Sequence, residues 1–297
     1  FTTIFIPVSQ FVGLQDTYAY ATAYVQSAER ASGFFGNPNE AGAFACYSLV
    51  VFFTASIFFH RGKYLFLLVL IPITIYAIII SLSRASYVVG GFLIILFIVF
   101  MLQRFGKIGR VNRKNLFIIL ITIFLAVQAV ILNFNTIYNN LNTSQQYRIT
   151  ALLGLLTGEI NEKTTSERSV VYAHGFEIIK TAPLIGNGLG SFHRLNSGPR
   201  AGLGIHNTYL LIWGESGLFP LLLFVVALGY LSFKGSIFPL SSMRFFLVGC
   251  LIIFIVIVAG TGHNAIDDRT SNALLGVIIA MTQHKKHFLN VRHSRIY

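Results

Sequence analysis

Five arginines (Arg30, Arg84, Arg168, Arg194, Arg200) and three histidines (His174, His206, His263) lie in the polar segments between long apolar runs, with few carboxylates close by. Guanidinium suits planar, bidentate recognition of phosphate. Imidazole, with a reference pKa of about 6.5, can take a proton from a hydroxyl. Together these types point to a phosphorylated molecule as ligand. They do not make a metal site. The histidines lack cysteine partners and the tight His-x-x-x-His spacing of zinc. The absence of Asp-x-Asp argues against a metal-held nucleotide sugar. We therefore expect neither metal nor cofactor.

The residues fall into five clusters. The first, Arg30-Ala-Ser-Gly-Phe-Phe-Gly-Asn-Pro-Asn39-Glu40, ends in turn chemistry; Asn39 is expected to cap the next helix, which leaves Arg30 for other work. The second, Ser81-Leu-Ser-Arg84-Ala-Ser86, is a tight connection whose arginine either binds a ligand or snorkels to an interface. The third runs Arg168, Tyr172, His174 and then Pro183-Leu-Ile-Gly186-Asn187-Gly188-Leu-Gly190-Ser-Phe192. Its glycines mimic a dinucleotide fingerprint, but no strand precedes them. They serve as a turn or offer N–H groups to an anion. The fourth is His206-Asn207-Thr208-Tyr209 with Trp213-Gly-Glu215-Ser-Gly217. Glu215 follows His206 by nine residues, about a half turn out of phase on a helix. The fifth, His263-Asn264-Ala-Ile-Asp267-Asp268-Arg269, sets His263 and Asp267 on one helical face or in a solvated loop.

The elements that position these residues follow from composition. Of 297 residues, 55% are hydrophobic and only 11% charged, against about 25% charged in soluble domains. Collagen, disorder, a disulfide scaffold and a nucleic-acid-binding module are excluded, the last despite a pI near 9.9. Cys46 and Cys250 each sit in an apolar run and suggest no disulfide. We expect an all-α integral membrane protein. A crossing helix needs about 20 mostly apolar residues, and seven segments qualify or nearly so: 41–59, 64–82, 86–102, 116–132, 211–233, 245–260 and 271–283.

Charge then orients them. With His60–Lys63, Gln103–Asn115, Lys234–Arg244 and His284–Tyr297 on the cytoplasmic side, that side holds thirteen of the 22 Lys and Arg and none of the 10 Asp and Glu. The split follows the positive-inside rule and puts the five clusters on the outer face. The expected organisation is an extracytoplasmic segment 1–40, four spans over 41–132, an extracytoplasmic loop domain 133–204, three spans over 205–283 and a basic tail 284–297. Seven spans place Phe1 outside; with neither initiator Met nor signal peptide, we expect the chain to lack N-terminal spans of a longer protein. The loop 133–204 is too long to be bare. Its middle, Glu167–Lys180, is predicted to be a helix capped by Ser166 and stopped by Pro183. The helix carries Val170, Val171, Ile178 and Ile179 on one face, which could rest on the membrane.

In order and spacing the motifs resemble the O-antigen ligase and polymerase family of bacterial surface polysaccharide synthesis (the Wzy/WaaL type). The resemblance covers about residues 30–218: Arg30 with Gly-Phe-Phe-Gly-Asn-Pro-Asn39, Leu82-Ser-Arg84-Ala-Ser, Arg168 through Tyr172 to Phe192, and His206-Asn-Thr-Tyr-Leu210 with Glu215-Ser-Gly217. Tyr172 stands where members often carry Trp. The resemblance implies a metal-independent, inverting glycosyl transfer on the outer side of the bacterial cytoplasmic membrane. The donor would be a glycan on undecaprenyl diphosphate. The acceptor would be lipid A-core for a ligase, or another lipid-linked chain for a polymerase, with ligase favoured. Arg168, Arg84 and Arg30 would neutralise the diphosphate and His206 would act as general base. Tyr172, Asn207, Glu215, His263 and Asp267 would bind substrate or orient the histidine. Membrane lipids are expected partners and nucleic acid is not. A small-anion transporter is the rival, but it needs ionisable residues within the spans, and these spans are almost free of charge.

Overall fold

The computed structural model describes residues 38–58, 65–108, 168–194, 205–237, 242–261 and 269–283, with scattered positions between 121 and 154. Every regular element among the described residues is helical. Two stretches, Arg84–Gln103 and Leu218–Ser236, are long and apolar enough to cross a membrane, and Val69–Ile80, Met243–Ala259 and Asn272–Gln283 are shorter apolar helices. Arg30, Arg200, His263 and Asp267 lie outside the described residues. The chain divides into two units, Phe1–Thr165 and Ser166–Tyr297.

The first unit holds α1 (Pro38–Phe58), α2 (Leu65–Ile80), α3 (Arg84–Ile108) and the short α4 (Phe134–Asn139). Helix α1 begins at Pro38, whose fixed φ and missing N–H suit a first helical position. Asn39 therefore lies inside the first turn and is not the cap expected from sequence. Helices α1 and α3 pack closely. Phe53 stacks on Phe97 with centroids 4.1 Å apart and planes 11° apart, and both rings are fully buried. Nearer the start of α3, a Cβ on Gly42 would sit 2.4 Å from Ser86 Oγ, so only glycine lets the helices approach there.

The second unit holds α5 (Arg168–Thr181), α6 (Ser191–Arg194), α7 (Thr208–Ser216), α8 (Leu218–Ser236), α9 (Ser242–Ile253) and α10 (Arg269–Gln283); α9 runs on into a π-helical turn, Phe254–Ala259. Helix α5 falls within one residue of its predicted bounds at each end. Its apolar face has a different use from the one expected. Ile178 and Ile179 are buried with Phe192 and Ile205, and Val171, Tyr172, Leu210, Leu211 and Trp213 pack against them. That face is occupied by protein, and the opposite face carries an exposed Glu177–Lys180 pair. The stretch 211–233, expected as one span, is two helices broken at Gly217. Hydropathy runs through the break because every residue around it except Glu215 is apolar or small.

Candidate active site

The Ser81–Ser86 connection shows how a motif separates into scaffold and chemistry. Ser81 Oγ donates to the Ile78 carbonyl at 2.7 Å, closing α2. Ser83 precedes α3 and caps it. Its Oγ accepts from the Ser86 N–H at 3.4 Å and the Ser86 hydroxyl at 3.0 Å, satisfying donors that a helix start leaves open. Tyr87 O–H donates to the Ile79 carbonyl and ties the two helices. All three serines are buried. Arg84, the first residue of α3, is left half-buried as the only charged side chain of the motif.

In the second unit Tyr172, His206 and Asn207 meet at the N-terminal end of α7. Ile205 is buried and anchors the chain under α5. A Cβ on Gly175 would meet the Ile205 side chain at 2.4 Å. His206 follows with φ of 39°, a left-handed conformation that costs a non-glycine residue about 1–2 kcal/mol. The Tyr172 hydroxyl donates to the His206 carbonyl at 3.4 Å. Asn207 bonds through both ends of its amide: Oδ1 accepts from the Leu210 N–H at 3.0 Å as N-cap of α7, and Nδ2 donates to the Gly260 carbonyl at 3.2 Å. Tyr209 O–H donates to Ile255 in the π turn at 3.1 Å, and burial raises its pKa, which keeps it a donor. Tyr172 thus holds the His206 carbonyl, and Asn207 ties the start of α7 to Gly260.

Arg168 begins α5, one turn before Tyr172. The end of α5 that bears the arginine is therefore tied to the His206 segment through Tyr172. Glu215 is not brought to His206. It lies in the last turn of α7, seven residues and about 10 Å of helix beyond Thr208, at the opposite end from His206.

The glycine-rich segment binds protein, not an anion, through two of its N–H groups. The N–H of Asn187 donates to the Gly214 carbonyl at 2.8 Å and that of Gly188 to the Glu215 carbonyl at 2.9 Å, capping the C-terminal end of α7. Asn187, which sequence reasoning passed over, is a hub. Its amide donates to the carbonyls of Ile178 and Gly214 and its oxygen accepts from Thr181. An Asn between two glycines was the available signal, since such residues bond nearby backbone in turns. His193 was also passed over; it lies in the four-residue α6.

Among the described residues no group of three or more His, Cys, Asp or Glu is placed to hold a metal ion. No curated protein and no solved structure matches the chain. The O-antigen ligase family model matches residues 64–225, a range that contains Arg84, Arg168, Tyr172, His206, Asn207 and Glu215, begins after Arg30 and ends before His263. More than half of the sequence is covered, and the chain belongs to the O-antigen ligase family.

Proposed function

We propose that the protein is a metal-independent, inverting glycosyltransferase of the bacterial cytoplasmic membrane, working on its outer side. It moves a glycan from undecaprenyl diphosphate to an acceptor hydroxyl, with lipid A-core the favoured acceptor. The observation that carries this is the tie from the Arg168 end of α5, through Tyr172, to the strained, capped His206 segment. Strain of this kind gathers where a side chain must be held ready for chemistry. Family membership supplies the substrate class.

The acceptor oxygen attacks C1 of the donor sugar as the bond from C1 to the diphosphate oxygen breaks. His206 takes the hydroxyl proton. The departing diphosphate keeps the bonding electron pair, and its charge is met by Arg168, Arg84 and Arg30. His263 and Asp267 complete the surroundings of the histidine. Attack opposite the leaving group inverts the anomeric centre.

The test is transfer by the purified, bilayer-reconstituted protein from a lipid-linked donor. Arg168→Ala and His206→Ala should each abolish product while expression is retained, and chelator should leave turnover unchanged. Full activity in both variants would remove the assignment, and loss with chelator would restore a metal. Product on lipid A-core marks a ligase; product on lipid-linked chains alone marks a polymerase.

A further inference from the structure

The turn between α5 and α6 exposes side chains that a loop in water would not. Leu184, Ile185 and Leu189 are 68%, 83% and 79% exposed, and no charged residue occurs from Ala182 to Phe192. Exposed apolar patches of this kind mark interaction surfaces.

Two independent features identify the partner. The first is position. The Leu218 N–H, at the start of α8, donates to the Leu184 carbonyl at 3.2 Å. A Cβ on Gly217 would fall 2.2 Å from that same oxygen. The turn is thus pressed against the mouth of a helix apolar and long enough to cross a membrane. The exposed residues Phe219, Leu222, Leu223 and Val226 continue the apolar surface down α8 at the i, i+3, i+4, i+7 spacing of one helical stripe.

The second feature is the backbone. Irregular chain cannot leave water with unpaired N–H groups. Here Gly186, Asn187, Gly188 and Ser191 all donate to protein carbonyls, those of Ala182, Gly214, Glu215 and Gly188. The left-handed φ values of Gly186, Gly188 and Gly190, 77°, 85° and 73°, make that pattern possible. Four of the turn's N–H groups are thus satisfied within the protein, while its most exposed side chains are apolar.

We propose that residues 184–189 form a membrane-dipping turn that inserts Leu184, Ile185 and Leu189 among bilayer lipids beside α8. The α5–α7 assembly carrying His206 is thereby held at the level of the membrane interface, where a lipid-linked substrate presents its headgroup.

The test uses the full chain in nanodiscs of phosphatidylethanolamine and phosphatidylglycerol, with an environment-sensitive fluorophore on Ile185→Cys. The native thiols Cys46 and Cys250 are buried, so the introduced cysteine takes the label. Glu177→Cys, on the exposed face of α5, is the control, and Leu189→Cys is a second probe should the first variant fold poorly. At 185 and 189 we expect blue-shifted emission, quenching by shallow nitroxide lipids and loss of iodide quenching, with the reverse at 177. Iodide quenching at 185 and 189 matching that at 177 would overturn the proposal. So would protection from both quenchers, which would mean that protein covers the turn, or equal lipid quenching at all three sites.

Discussion

Gly217→Ala gives a sharp test of how the site is assembled. Gly217 has φ of 91° and ψ of −179°, a region essentially restricted to glycine, and occupying it costs other residues about 1–3 kcal/mol. A methyl group there would also lie 2.2 Å from Leu184 O, 2.7 Å from Leu184 C and 2.8 Å from Ile185 C. These are backbone atoms and cannot swing aside like a flexible side chain. The turn must retreat, and with it go the Leu218-to-Leu184, Asn187-to-Gly214 and Gly188-to-Glu215 bonds, each contributing about 1 kcal/mol. Adding strain to lost bonds gives a destabilisation of about 4–6 kcal/mol, among the largest for a single substitution. Gly229→Ala makes the same chemical change within α8 where a Cβ meets nothing within 4 Å; it should be neutral or stabilising by up to about 1 kcal/mol. The reporter is built in. The chain has one tryptophan, Trp213, whose Nε1–H donates to the Pro183 carbonyl at 2.9 Å and whose ring meets Phe176 edge-on at 6.5 Å. In detergent, Gly217→Ala should shift Trp213 emission to the red and lower the unfolding midpoint, while Gly229→Ala leaves both near the parent values. Gly217→Ala with parental emission and midpoint would refute the interlock.

His206→Gly should relieve the left-handed strain and keep the carbonyl that Tyr172 uses, so the fold is retained or gains up to about 1 kcal/mol while transfer is lost; transfer at the parental rate would remove His206 as base. Tyr209→Phe deletes the donor to Ile255 and should cost about 1–2 kcal/mol, read as a lower unfolding midpoint. Burial raises the Tyr209 pKa in the folded state, so the parent should lose stability as pH rises past about 10, where the unfolded phenol ionises first; the variant should lack that increment. Ser83→Ala removes the cap of α3 and should cost about 1 kcal/mol, lowering abundance but not turnover per molecule, whereas Arg84→Ala should abolish turnover in an assay of equal protein amounts.

Much of the helical layout was legible because it is a local property. The run Arg168–Thr181 was found from its apolar spacing and Pro183, and α1, α2 and α3 begin within three residues of the predicted starts. What sequence could not supply was the partner of each surface. The Val171 and Ile178/Ile179 face has the pattern of a membrane-lying helix, yet it is covered by Phe192 and Ile205, and sequence periodicity reports apolarity without saying what covers it. The break at Gly217 escaped for a related reason. One glycine does not interrupt a hydropathy window, and its necessity comes from Leu184, distant in sequence. The same blindness affected Tyr172 and Asn207. Both were expected to bind substrate, and motif spacing gave no sign of the backbone bonds that they also make.

Strain shows which residues this scaffold serves. Among the described residues two non-glycines have positive φ, Leu82 at 50° and His206 at 39°, and each occurs in a turn that carries one of the proposed active groups. The local sequence of events is the same in both. A left-handed residue turns the chain, a side chain caps the helix that follows (Ser83 in one case, Asn207 in the other), and the helix starts. In the first turn the active group is Arg84, immediately after the cap; in the second it is His206, immediately before it. A conformation costing about 1–2 kcal/mol would be removed readily by a glycine at either position, so its presence needs an offset. Leu82 has one in burial, being only 4% exposed. His206 is half-exposed, so burial does not explain it, and glycine would satisfy its backbone better. On the proposed mechanism, the offset at 206 is the work of the imidazole as base.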